Sequence, residues 1–505
     1  MDNSHNMNQT RKLSTVTEET SPLLNDNDEP LSQNYTPTVT EQRQPQIQDY
    51  IDGDDLFLGE KDTIESEIKY MIKNSIPVLV TFIMQYLIQM MIPIYFSSKL
   101  GPDYLSACNL SLSAFYISGP VIFNGFTTAL DTLCSTAFGA GHYQKVGLFY
   151  QQCTIILVLL VIPLSILWLN CSHIISFLSD DPELVKLCSK YMQMMPFAAP
   201  AVAVFECSKR FLQSQNKFSV PTRITILAAP LSVVLNWQLG PIIGFYGPPV
   251  SFVFTVWFMA ISVILYIFLI DGYQCWNNDW DIESLFSNWS IFFKLGIPGV
   301  LMVFSESFAF ELLTFLSAKF GNKELAAQSV VQTFSSFAFN LPFAVSICSA
   351  TRIGNIIGAR SSNYHIAVKV MLCVACFFSV FNFAWMVLFR YPLARAFCED
   401  ETIVERTCLL FVVVGFNQFL DCINIMCAGI LRGQGRQRIG SILSIISYYV
   451  IASPFELLFG FYFHLEVFGL WLGLAVGVGA LSIFEFVLVL KSDWEKIMEA
   501  NAKIV

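Results

Sequence analysis

Residues 250–270, Val250 to Ile270, read VSFVFTVWFMAISVILYIFLI and contain no charged side chain. A helix needs about 20 mostly apolar residues to cross the hydrocarbon of a bilayer. The run is too long for one strand and does not alternate, so a helix is the spanning element it predicts. Read the same way, the rest of the chain yields about twelve such segments. Their centres lie near Met84, Ile117, Leu160, Ala201, Leu231, Met259, Phe304, Phe337, Phe378, Phe416, Ile446 and Val476. The expected fold class is therefore all-α and integral to a membrane.

Composition points the same way. Of 505 residues, 54% are hydrophobic and 13% charged, against about 25% charged in soluble domains. A single soluble core does not reach this size with so few surface charges. The net charge of -10 is unevenly placed, with Glu18, Glu19, Asp26, Asp28, Glu29, Asp49, Asp52, Asp54 and Asp55 near the start. Residues 1–67 are also rich in Asn, Gln, Ser, Thr and Pro. They cannot bury enough apolar surface to fold and are expected to form a disordered tail. No basic stripe offers a site for nucleic acid. Cysteines such as Cys153, Cys207, Cys422 and Cys427 sit in apolar runs and read as small packing residues. Cys373-x-x-Cys376 lies mid-span with no nearby His. The opening is polar and has no apolar h-region, so the first membrane helix is expected to serve as the targeting signal.

An even number of spans puts both termini on one side. Loops on that side carry Lys145, Lys209, Arg210, Lys217, Arg352, Arg360, Arg432, Arg436 and Arg438. The opposite loops carry Lys99, Lys186, Lys190, Lys319, Lys323, Arg390 and Arg395. The bias predicts cytosolic termini.

The chain also repeats itself. Lys73-x-x-x-Pro77 and Lys294-x-x-x-Pro298 open the first and seventh spans. Gly139-Ala140 and Gly358-Ala359 follow the second and eighth. Gln215-Asn216-Lys217 and Gln434-Gly435-Arg436 follow the fourth and tenth. The near-constant spacing implies an internal duplication. Six spans per half give both halves one orientation, hence a parallel repeat with substrate held between the halves. The expected division is a lobe over 68–272, an interfacial connector over 273–290 with Trp276, Trp280 and Trp289, a second lobe over 291–490, and a cytosolic tail over 491–505.

Four stretches carry a resemblance to a known family. They run from Leu130 to Gly141 (LDTLCSTAFGAG), from Phe211 to Gln215 (FLQSQ), from Ser305 to Glu311 (SESFAFE) and from Gly429 to Gly435 (GILRGQG). In order and spacing the chain resembles the multidrug and toxic compound extrusion family, from about Lys69 to Leu490. Through Glu306 it looks like the eukaryotic, fungal-like branch. The resemblance implies a V-shaped pair of six-helix lobes and cation-coupled export.

Acids inside spans cost about 2.5–3.5 kcal/mol on insertion scales and mark function by default. Glu306 lies in the seventh span, on one face with Phe310 and Leu313. Glu311 lies about 140° further round the helix. Asp421, in the tenth span, forms a stripe with Asn417 and Asn424 at i−4 and i+3, which implies a wet or partnered face. Burial raises a carboxyl pKa, while neighbouring amides and a pathway let the group ionise. Such a group takes either a proton or a cationic substrate, which gives antiport by competition. The resemblance supports Glu306 and Asp421, since eukaryotic relatives carry acids at those motif positions. The first half differs. Gln85 stands where the repeat would place the partner of Glu306. Prokaryotic relatives carry an acid where this chain reads Ile92-Pro93-Ile94. Gln85 and Asn236 are expected to be polar groups of the cavity. Glu206 is expected to pair with Arg210 at a helix end, and Asp131 and Arg352 to be structural, in a loop or helix-end role. Pro77, Pro93, Pro298 and Pro342 are expected to bend their helices. His142 and His173 read as solvated.

The reading that follows is a proton-coupled antiporter of organic solutes, cationic ones foremost. It works as a monomer in a lipid bilayer, with no cofactor and no metal. Na⁺ stays open as the coupling ion. A major-facilitator transporter would show its signature after the second span, where this chain reads Phe138-Gly139-Ala140-Gly141-His142. A lipid or oligosaccharide flippase would need cationic residues in the cavity, and the interior reads as acidic. An enzyme would need a phosphate loop, metal cluster or nucleophile–base pair, and none stands out. Glu19-Thr20-Ser21-Pro22-Leu23-Leu24 fits an acidic dileucine sorting signal for the vacuole or lysosome, with the plasma membrane as the alternative. Asn170-Cys171-Ser172 is a glycosylation sequon placed close to the third span.

Overall fold

The Val250–Ile270 run is helical up to Leu269, within Gly247–Leu269, in the computed structural model of the protein, which describes residues 63–176, 181–276, 282–397 and 400–504. Helices dominate and no strand occurs among the described residues. The twelve spans are built on α1 (Ile64–Tyr86), α2 (Pro120–Gly139), α3 (Tyr143–Leu169), α4 (Met195–Ser214), α5 (Ser219–Ile243) and α6 (Gly247–Leu269). They continue as α7 (Ser290–Ser317), α8 (Asn322–Gly358), α9 (Tyr364–Leu388), α10 (Glu401–Gly433), α11 (Gln437–Ile445) and α12 (Glu466–Leu490). A short helix, α13 (Trp494–Ala502), follows. The acidic dileucine residues Glu19, Leu23 and Leu24 lie outside the described residues.

Prolines and glycines shape the spans. Helix α1 passes through a π-helical turn, Leu87–Met91, into Ile92–Ser98, with Pro93 next to the turn. Proline lacks the N–H that would hold the carbonyl one turn back, and a wider turn absorbs the gap. The span that begins at α11 shows the same device twice, with π turns over Ile446–Ala452 and Leu458–Tyr462 on either side of Pro454. The second span breaks at Gly119 between Pro102–Ser118 and α2, where a Cβ would meet Trp168 at 2.9 Å. Its counterpart α8 runs unbroken past Pro342.

The internal repeat is written in the backbone. Residues with positive φ pair up across the halves, 219 or 220 positions apart: Gly101 with Gly321, Gly141 with Arg360, Asn216 with Gly435, Gly244 with His464. The same left-handed turns therefore end or begin the same spans in each lobe. Conserving the turns while sequence drifts is what a duplicated fold requires.

The lobes meet through α2, α7, α8 and α1, with α2 against α7 and α8, and α1 against α8. At the crossing of α2 and α8 the contacts are small. A Cβ on Gly354 would lie 2.6 Å from Cβ of Ser135. One on Gly358 would lie 2.0 Å from the Thr136 carbonyl oxygen, and one on Gly139 2.2 Å from that of Asn355. Ser135-x-x-x-Gly139 thus faces Gly354-x-x-x-Gly358, a small-xxx-small crossing that lets the backbones touch. Further up the same seam, Gly125 packs on Val300, and Gly299 on Thr128 and the Gly125 carbonyl.

This seam closes one end of the molecule, called here the terminal face because both ends of the described chain reach it. Arg352 Nε donates to both oxygens of Glu67 (3.0 and 3.2 Å), joining α8 to α1. The Thr132 hydroxyl donates to the Arg432 carbonyl (2.6 Å), and the Gln437 amide to the Thr132 hydroxyl (2.9 Å). Helix α13 docks here too: the Asn501 amide donates to the Gln434 carbonyl (3.1 Å). Its N-cap carboxylate, Asp493, is held below the usual range by hydrogen bonds from Lys496.

Asp131 and Arg352 are therefore not helix-end residues. Each is buried, Arg352 with Glu67 and Asp131 with Arg210 (3.2 Å). Lys209, Arg210, Arg352 and Arg432 are also not loop charges, because α4, α8 and α10 run past them to Ser214, Gly358 and Gly433. The described cysteines are free thiols.

Candidate substrate cavity between the lobes

A cavity of about 350 Å³ lies between the lobes. Its floor, toward the terminal face, is an aromatic pair contributed one ring by each lobe: Phe82 of α1 and Phe343 of α8, with centroids 5.3 Å apart. A cation flanks each ring. Lys209 Nζ is 5.3 Å from the Phe82 centroid, and the Arg432 guanidinium is 5.8 Å from that of Phe343. The walls add Tyr86, Tyr116, Phe310 and Phe339 together with amides such as Gln89, Asn124, Asn340 and Gln418. Rings with a few polar groups among them are the usual make-up of a site for drug-sized organic molecules.

The α7 wall presents both Glu306 and Glu311, with Phe310 between them. Five residues separate the two acids, yet the cavity is wide enough to be lined by both. Leu313, expected on the Glu306 face, is core instead. Glu306 Oε1 is buried without a hydrogen-bond partner.

The α10 stripe divides. Asn424 lines the cavity and its amide donates to Asp421 (3.2 Å). Asp421 and Asn417 are fully buried behind it, inside the lobe. Asp421 Oδ2 and both polar side-chain atoms of Asn417 have no hydrogen-bond partner. The stripe thus leads away from the open cavity into a polar pocket of the lobe. Of the wet or partnered face expected for the stripe, Asn424 alone lines the cavity, and Asp421 is partnered by Asn424. Glu485 of α12 joins this pocket and was missed, although it is an acid in an otherwise uncharged stretch of its span. Both its carboxylate oxygens lack partners. One turn away, the Ser482 hydroxyl donates to the Leu420 carbonyl (2.8 Å), so Glu485 and Asp421 share one helix–helix contact. Glu456, in the eleventh span, is a second buried acid that was missed.

The first lobe departs most from expectation. Glu206 does not pair with Arg210. It lines the cavity, 2.6 Å from Lys209 Nζ, and accepts from the Gln85 amide (2.8 Å). Lys209 in turn donates to Gln85 Oε1 (3.1 Å). Gln85 is a cavity residue, but it works as the bridge of a buried ion pair. The i+3 partner wins over i+4 because Arg210 points to Asp131 on α2. Asn236 is not in the cavity. It is buried on α5, with its amide donating to the Ser232 carbonyl (2.8 Å). The cavity is also not purely acidic, since Arg432 lines it. Among the described residues no His/Cys/Asp/Glu group could hold a metal ion.

Two like six-helix lobes, sealed at one face around a central cavity with intramembrane acids, define a polytopic membrane transporter. The MatE family profile matches residues 77–238 and 298–458, once in each lobe, and the chain belongs to that family. It is 33% identical over 442 residues to an uncharacterized transporter of Schizosaccharomyces pombe, covering 86% of this chain and 81% of that one. An uncharacterized transporter of Saccharomyces cerevisiae is 31% identical over 86% of this chain, which spans 63% of that relative's length. Protein DETOXIFICATION 16 of Arabidopsis thaliana is 30% identical, covering 85% of this chain and 90% of that protein. The fold matches the crystal structure of the eukaryotic MATE transporter AtDTX14 with a TM-score of 0.82, at 24% identity, covering 88% of this chain and 100% of that one.

Proposed function

We propose that the protein is a proton-coupled antiporter that moves organic solutes, cationic ones foremost, out of the cytosol. One observation carries this reading: Glu306 stands in the cavity wall with a buried carboxylate oxygen that no protein group satisfies. A buried unpaired carboxylate is costly, so it takes a proton or a cation. If both compete for Glu306, and Asp421 and Glu485 behind it share the proton, release of one accompanies binding of the other. The cavity is sealed at the terminal face, so exchange requires the small-residue seam to open as the far end closes. The basic cavity lining expected of a flippase is limited to Arg432, and the acids outnumber it.

We favour cytosolic termini, and exposed bases support that orientation. With buried Lys209, Arg210, Arg352, Arg432 and Arg436 set aside, Lys69, Lys73, Lys145, Lys294, Arg360, Lys369, Arg438 and Lys491 remain exposed toward the terminal face. A proton gradient directed into the cytosol then drives solute out of it, into an acidic medium or an acidic organelle. We favour the vacuolar membrane, on Glu19, Leu23 and Leu24. Microscopy of a Leu23→Ala, Leu24→Ala double variant tests this. The signal predicts redistribution to the cell surface, and unchanged placement removes it.

The test of function is uptake of a cationic dye into liposomes holding the purified protein, with separate pH and Na⁺ gradients. The proposal expects uptake with the pH gradient alone. Uptake with Na⁺ alone would replace H⁺ as the coupling ion.

A further inference from the structure

Each buried base of the spans can be asked where its counter-charge is. Lys209 has Glu206 at 2.6 Å, Arg210 has Asp131 at 3.2 Å, and Arg352 has Glu67. Arg432 has no carboxylate within salt-bridge distance among the described residues. Buried Arg436 also has none, but it lies at the terminal face, bonded to Gln434 and Ser492. Arg432 is 4% exposed, and what exposure it has is to the cavity.

A guanidinium carries five N–H donors. Arg432 uses Nη2 toward the Ser346 hydroxyl (2.7 Å), which itself donates to the Ile425 carbonyl (2.7 Å). Nε is buried with no acceptor. The Phe343 ring lies over the guanidinium, and the Thr132 hydroxyl donates to the Arg432 backbone carbonyl, so the residue is held at both its side chain and its backbone. The charged groups facing it from neighbouring helices are Asp131 (α2), Arg210 (α4), Glu306 (α7) and Glu485 (α12). Asp131 is already taken by Arg210. Glu306 and Glu485 stand farther off than an ion pair, and a proton or a bound cation neutralises either of them.

We propose that Arg432 is an anion subsite of the cavity, taking a carboxylate or a similar oxyanion of the substrate. The cavity then has two poles: carboxylates Glu306 and Glu311 on α7, and a guanidinium on α10, with aromatic rings between. The ligand class that matches is amphoteric, a flat organic cation that also carries a carboxylate. A guanidinium fork with free donors is the side chain best shaped for such a group. When the substrate's cation settles on Glu306, Arg432 loses its distant counter-charge and its pull on the substrate's anion rises. The assignment rests on the cavity being the substrate site.

A carboxylate-bearing rhodamine and its methyl ester test it, since they share one ring cation and differ in the anion. Binding to purified protein is followed by fluorescence polarisation, and uptake into liposomes under a pH gradient is measured alongside. Arg432→Gln is expected to weaken binding of the acid about tenfold or more, the scale of one charge-assisted hydrogen bond. Binding of the ester should change by less than about twofold. Arg432→Lys should recover most of the acid's affinity. Equal weakening of both dyes, or none, overturns the subsite. If Arg432→Gln does not fold, the wild type decides: it must bind the acid at least about threefold tighter than the ester, and equal or reversed affinities overturn the proposal. Selective loss of acid binding without any proton-driven uptake would sink the antiporter and keep the subsite. Uptake with an unchanged acid-to-ester ratio in Arg432→Gln would do the reverse.

Discussion

A carboxylate in a wall of rings and amides has two routes to neutrality, and Glu306 is placed to use both. Glu306→Gln keeps the size and the hydrogen bonding but removes the proton. Exchange should fall to background while folding and membrane level stay normal, and wild-type exchange would end the coupling role. Asp421→Asn should behave alike, through the pocket behind Asn424 and not through direct contact with substrate. Glu206 obeys a different rule. Removing its charge leaves Lys209 buried and unpaired, a loss of about 3–5 kcal/mol when one partner of a buried pair is deleted. Glu206→Gln should therefore lower the melting temperature and the expressed level, and Glu206→Gln with Lys209→Met should restore them. If Glu206→Gln melts like wild type, the ion pair has no structural weight. Gln85→Ala should alter substrate preference without removing the pH dependence, since an amide cannot carry the proton. These differences were only partly legible beforehand. An acid in an apolar run announces itself, and Glu306, Glu311 and Asp421 stand out for that reason, as Glu485 could have. Partner choice does not, because i+3 and i+4 spacings both suit Glu206 and only the third dimension gives Arg210 to Asp131.

Helices and turns were the more readable level. Twelve apolar runs give twelve spans because a bilayer leaves no other use for them. Two of the three motif pairs found in sequence, those at Gly139/Gly358 and Gln215/Gln434, fall at turns whose positive-φ residues are also paired. The crossing of α2 and α8 was not read, since Ser135-x-x-x-Gly139 and Gly354-x-x-x-Gly358 look ordinary until they face each other. Gly358→Ala would put a methyl 2.0 Å from the Thr136 carbonyl, a backbone atom that cannot swing aside. Overpacking of this kind costs about 1–3 kcal/mol, and here the seal bears it. The sealed state should lose population about fivefold or more relative to the state open at the terminal face. Alkylation of a single cysteine introduced at Thr136, from the terminal side, should speed up accordingly. An unchanged rate would mean that the seam is not the gate.

At the scale of the molecule, the two lobes are alike in fold and unlike in charge. The first neutralises its buried cations internally, Lys209 with Glu206 and Arg210 with Asp131. The second leaves Glu306, Asp421 and Glu485 with unsatisfied oxygens and with no base at ion-pair distance among the described residues. The coupling proposed above thus falls to the second lobe, with the first as a wall and a pivot. The resemblance read from the sequence located the family, the apolar runs exposed the acids of α7 and α10, and the charge pairing of the first lobe needed coordinates. The most direct test of this division is the proton stoichiometry of dye exchange in liposomes, measured with a pH-sensitive probe for three proteins. These are wild type, Glu306→Gln, and the doubly neutral Glu206→Gln, Lys209→Met. The account predicts that the double variant exchanges protons for dye at the wild-type ratio, while Glu306→Gln moves neither. A double variant that still transports dye but moves no protons would contradict it and place the coupling site in the first lobe.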